Sequence, residues 1–110
     1  MKITSKIILA LSFIFATSQA FAEEKEIQVK IKDHKFEPAE INVTANEDFK
    51  LIVENLDKTA EEFESHDLKK EKMIMGGKKI TIPVSKLSAG EYEFFGEFHP
   101  KTAQGKIIAK

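Results

Sequence analysis

Two short stretches of this chain carry side chains capable of chemistry. The first is Glu61-Glu62-Phe63-Glu64-Ser65-His66-Asp67, and the second is Gly96-Glu97-Phe98-His99-Pro100. On an extended segment, residues two apart share a face. Glu62, Glu64 and His66 then line one side, and Glu61 and Ser65 the other. Glu97 and His99 likewise share a side. Two acid/His segments brought together by a fold would make a nitrogen/oxygen metal site. Imidazole with carboxylate suits Fe, Zn, Mn or Cu(II) rather than Cu(I). A run of acids is also the ordinary composition of a solvated face, so the first segment alone does not decide between the two. Met73 and Met75 flank Ile74 and are read first as core or loop surface, with a soft-ligand role as the alternative. His34 reads as a turn residue.

The elements that would position these residues are strands. Glu26-Ile27-Gln28-Val29-Lys30-Ile31-Lys32 alternates polar and apolar at period two, as a half-buried strand does. Asp33-His34-Lys35 turns the chain, and Phe36-Glu37-Pro38 leads to a short strand at Ile41-Asn42-Val43. Phe49 to Glu54 is a third strand, followed by a polar loop from Asn55 to Thr59. Phe63 to Leu68 and Glu71 to Met75 read as extended, and Gly76-Gly77 breaks the chain. Lys78 to Val84, Glu91 to Phe95 and Gly105 to Ala109 complete the set. Turn signals recur about every ten residues, which predicts an all-β sandwich of seven or eight strands. Lys58 to Lys72 is rich in Glu and Lys and is the one window with helical character.

Composition narrows the chemistry. The chain has 110 residues and no Cys. Disulfides, thiolate zinc sites, iron–sulfur clusters and Cys nucleophiles are excluded together. Phosphate-binding glycine loops, Gly-x-Ser-x-Gly and His-Glu-x-x-His are absent as well. The nine Phe supply most of the large apolar payload.

The first 22 residues read as an export leader. Lys2 and Lys6 precede an apolar run from Ile7 to Ala16, and Ala20-Phe21-Ala22 is an Ala-x-Ala cleavage site. The run is shorter than the ~20 residues of a spanning helix. Cleavage after Ala22 leaves 23–110 as a single exported domain, in a bacterial periplasm, without a membrane span. With the two leader lysines gone, 15 Lys oppose 18 acids, a charge near −3. No basic field for nucleic acid remains.

The closing stretch from Gly90 to Ile107 resembles the end of a cupredoxin. That family closes with a Gly-x-Tyr-x-Phe strand, then Cys, His and Met ligands, then Gly-x-Ile/Val. Anchored on His99 and Gly105, the Cys position falls on Gly96 and the axial Met position on Ala103. Asn55 matches the Asn that ends the family's third strand, which puts its other His position near Glu62. The opening strands match too, so the resemblance spans essentially 23–110. It is strongest to the EfeO-type cupredoxin-like domains of bacterial iron uptake, which often carry Glu where blue-copper proteins carry His.

The resemblance implies a cupredoxin-like Greek-key sandwich. It also implies a periplasmic protein that binds copper or iron and assists iron transport, beside a periplasmic iron-binding protein or an inner-membrane iron permease. Blue copper needs a thiolate, and Gly96 offers none. The expected ligands are therefore Glu62, Glu64, Glu97 and His99, with His66, Met73 and Met75 as secondary candidates. A metal-free sandwich acting as an interaction module is the alternative. A small ferroxidase is a third reading, disfavoured because one domain offers little substrate-binding surface.

Overall fold

The computed structural model describes residues 24–110. The expected leader and its cleavage point lie outside the described residues. Nine strands run in chain order: β1 (Lys25–Lys32), β2 (Lys35–Glu37), β3 (Glu40–Val43), β4 (Phe49–Asn55), β5 (Glu61–Ser65), β6 (Lys70–Ile74), β7 (Lys79–Val84), β8 (Gly90–Gly96) and β9 (Gln104–Ala109). They form one sheet in the order β2-β1-β4-β7 and another in the order β3-β9-β8-β5-β6. The all-β sandwich is the expected architecture. The count exceeds seven or eight because the three residues Lys35–Glu37 pair as a strand of their own against β1. The Lys58–Lys72 window contains no helix. Alternation of buried Glu61, Phe63 and Ser65 with half-buried Glu62 and Glu64 shows that period two won over helix propensity there.

The core follows from that period. Val29 and Ile31 of β1, Phe49, Leu51 and Val53 of β4, Ile82 and Val84 of β7, and Ile107 of β9 all point inward and are buried. Three phenylalanines sit between the sheets. Phe94 meets Phe36 edge-on at 4.9 Å and Phe63 in a stack at 5.0 Å. Each such ring contributes about 1.5–3 kcal/mol by burial, with aromatic pairing adding to it. Gly105 makes room for this cluster, since a Cβ there would lie 2.4 Å from the Phe94 ring. Pro83 is placed on β7, an edge strand, where the lost amide donor costs no ladder bond.

Candidate metal centre

Strand β5 sends adjacent glutamates to opposite sides of its sheet. Phe63 must face the core, so Glu61, two residues earlier, faces it as well and is only 1% exposed. A buried carboxylate is tolerable when every oxygen is hydrogen-bonded. The Glu62 and Phe98 amides both donate to Glu61 Oε1, each at 2.9 Å. Glu61 Oε2 lies 2.7 Å from His99 Nδ1. The carboxylate thus ties β5 to the loop between β8 and β9. It reaches there because Gly96 has no side chain. A Cβ at Gly96 would stand 2.6 Å from Glu61 Cδ and 2.7 Å from Ala103 Cβ. Glu61, Gly96, His99 and Ala103 therefore converge on one point.

A second carboxylate organises the same end. Asn55, fully buried at the end of β4, donates through Nδ2 to the Thr59 and Ile74 carbonyls. Its Oδ1 accepts the Asp57 amide at 3.0 Å, which sets the Asp57 side chain. Asp57 then accepts the Asp33 and His34 amides at 2.8 and 2.9 Å. Burial disfavours the Asp57 carboxylate. The two amide bonds and the nearby His34 and His99 rings outweigh it and hold the carboxyl below its ordinary value. The His34 ring stacks on His99, with centroids 3.5 Å apart and planes 14° from parallel.

The outward glutamates form a different cluster. Ligand oxygens of Glu62, Glu64 and Glu97 all lie within 4.8 Å of one another. The Glu97 amide donates to the Glu62 carbonyl at 2.9 Å, which brings the β8–β9 loop against β5. Glu71 stands directly opposite Glu64 across the β5–β6 ladder. Desolvation raises the Glu62 and Glu64 carboxyls above the ordinary glutamate value, and the charges of Glu71 and Glu97 push in the same direction.

Of the four expected ligands, the structure brings Glu62, Glu64 and Glu97 together and sends His99 elsewhere, to Glu61 and His34. The ligand position expected near Glu62 falls one residue earlier, because Glu62 faces outward. His66 is exposed at the end of β5, its ring 5.7 Å from that of Phe95. Met73 and Met75 are also exposed, and Met73 sits across the ladder from Glu62. Sequence reasoning passed over Glu61, His34 and Asp57. The signal for Glu61 was present: it shares its face with Phe63, and Phe63 had to be core. Nothing comparable marked His34, whose partners are 23 and 65 positions away.

The family model for the cupredoxin-like domain matches residues 5–109. The chain belongs to the cupredoxin-like family. A relative from Rickettsia prowazekii, the uncharacterized protein RP394, is 49% identical over 83 residues, covering 76% of this chain and 66% of that protein. Among solved structures, the blue copper protein auracyanin A from Chloroflexus aurantiacus superposes with a TM-score of 0.67 at 13% identity, over 77% of this chain and 98% of that one. A purple cupredoxin from Nitrosopumilus maritimus gives 0.60 at 14% identity, over 76% and 99%. The metal-binding domain of the Streptococcus pneumoniae D39 Cu(I)-exporting ATPase CopA gives 0.66 at 14%, over 77% and 84%. At these identities the likeness shows the fold.

A thiolate copper centre does not fit this cupredoxin-like chain. Gly96 carries no donor, Ala103 carries a methyl group, and the Glu61 carboxylate is already taken by two amides and an imidazole. Zero Cys in the whole chain agrees.

Proposed function

We propose that this protein is a periplasmic metal-binding member of the cupredoxin-like family that handles copper or ferrous iron through carboxylates and supports iron transport. The observation that carries the reading is the meeting of Glu62, Glu64 and Glu97 within 4.8 Å. Their carboxyls are raised by desolvation and, in the same direction, by crowded like charges, and a cation bound among them relieves that crowding. Oxygen donors favour hard or borderline ions, Fe(II) and Cu(II) over Cu(I). Copper binding by the family's structural neighbours, among them auracyanin A and the Cu(I)-loaded CopA domain, favours a metal-handling role. The partner on this reading is a periplasmic iron-binding protein or an inner-membrane iron permease, and the role is binding and delivery rather than catalysis.

Calorimetric titration with Cu(II), Fe(II) and Zn(II) tests it. Binding tighter than ~100 µM, about 5.5 kcal/mol, is expected, and it should weaken when Glu62, Glu64 and Glu97 are changed to Gln. Binding weaker than that for all three ions overturns the reading.

One observation favours a second reading, a metal-free interaction module. The Glu61–His99 pair closes the point where a copper ligand set would converge. That reading predicts thermal unfolding indifferent to chelators and to added metal.

A further inference from the structure

His34 and His99 meet at the end of the sandwich where Glu61 is buried. A two-residue turn and a buried carboxylate bring them together. Asp33 and His34 form the two-residue turn between β1 and β2, with φ of 53° and 59°. Left-handed backbone is less favourable for any residue than for Gly, although Asp and His are among those that adopt it most readily in such turns. The Asp57 carboxylate, holding both turn amides, stabilises the turn. What the turn achieves is the placement of one imidazole on another, 3.5 Å apart.

The chemistry of the two rings points the same way. His99 Nδ1 lies 2.7 Å from Glu61 Oε2, and His34 Nδ1 lies 3.4 Å from Asp57 Oδ2. A carboxylate beside Nδ1 favours the tautomer with its proton there and leaves Nε2 with a free lone pair. Metal-binding histidines are prepared in this way, with the carboxylate fixing the ring and raising its basicity. Both side chains reach solvent, His34 at 42% and His99 at 29% exposure.

We infer that His34 and His99 form a two-imidazole site for a divalent transition ion of the Cu(II) or Zn(II) class, at the mouth of the position that Glu61 fills. Imidazole nitrogen selects these ions over Mg(II) or Ca(II). Two protein ligands leave water to complete the coordination. The lone pairs of parallel rings run side by side, so an ion shared by both requires one ring to tilt. His34, on a turn and the more exposed of the two, is the ring that tilts, and binding breaks the stack. The site uses none of the Glu62, Glu64 and Glu97 carboxylates.

The test uses a background in which Glu62, Glu64 and Glu97 are all Gln. On that background the protein should bind one Cu(II) by calorimetry, and electron paramagnetic resonance should show two coupled nitrogens. His34→Ala should lower the affinity at least about tenfold and leave one coupled nitrogen. His34→Asn, which tolerates left-handed backbone but lacks the imidazole, should do the same while keeping the wild-type circular dichroism. With Zn(II), the ring resonances of both histidines should shift together. Unchanged Cu(II) affinity in His34→Asn, or a spectrum with oxygen ligands alone, overturns the inference. Loss of all binding in the triple Gln variant also overturns it, yet leaves the carboxylate reading standing. Loss on His34→Asn but not on the Gln changes has the reverse meaning.

Discussion

Glu61 and Glu62 are chemically identical neighbours with opposite fates. Glu61 is enclosed, with two amides and an imidazole on its oxygens. Glu62 lies at the surface among Glu64, Glu71 and Glu97, where partial desolvation first, and its charged neighbours with it, raise its carboxyl. One is a tie between segments; the other is a member of a repelling cluster. The contrast shows that the side of a strand, rather than residue type, assigns a carboxylate its work. It also separates two kinds of consequence: changes at Glu61 should act on stability, and changes at Glu62 and its neighbours on ion binding and on pH response.

The largest effect is expected at Glu61. Glu61→Ala strands two amides and the His99 ring without their acceptor, and should lower unfolding free energy by about 3–5 kcal/mol in urea titrations. For a small domain that is a large share of the total. Metal affinity at the outer cluster should be unaffected so long as the chain stays folded. Next is Asp57→Ala, which releases both amides of the His34 turn and should cost about 1.5–3 kcal/mol. Circular dichroism and urea midpoints would show it. Gly96→Ala should cost about 1–3 kcal/mol, because a methyl there meets Glu61 Cδ at 2.6 Å and Glu61 is held on three sides. A neutral effect at Gly96 would mean that Glu61 is free to move and is not a fixed tie between segments.

The smallest effects concern pH, and the two regions should differ in sign. The Asp57 carboxyl is held low in the folded state. Its contribution is present above about pH 3.9, the unfolded value, and is lost as pH falls through the lower folded value. The Glu62 and Glu64 carboxyls are raised. Their contribution is full below about pH 4.3, the unfolded value, and is lost as pH rises through the higher folded values. Glu64→Gln should therefore raise the melting temperature slightly at pH 7 and flatten that part of the profile. A fall in melting temperature at pH 7 would contradict the repulsion between Glu64 and Glu71.

Much of this architecture was legible before any coordinates. The alternation in Glu26–Lys32 and the Ile80, Ile82, Val84 spacing specify strands because burying one face requires period two. Gly96 and Ala103 marked the missing thiolate and thioether, and the absence of Cys excluded that centre outright. The carboxylates at Glu62, Glu64 and Glu97 were also visible as a group. His99 shares a side with Glu97 on an ideal strand, but here it turns to Glu61 and His34. The stretch after Gly96 is a turn, where period two no longer applies. The Glu- and Lys-rich composition of Lys58–Lys72 carries some helix propensity, yet the extended reading of Phe63–Leu68 and Glu71–Met75 holds in β5 and β6, because local propensity yields to the burial of Phe63.

Residue types and their spacing were sufficient for the strands, the core face and the exclusion of a thiolate centre, because these depend on periodicity and on which donors the chain possesses. The partnership of Glu61 with His99, the His34 stack, and the split of one expected site into two came only from the tertiary arrangement. Those contacts join residues 38 and 65 positions apart, and no local rule of spacing reaches that far.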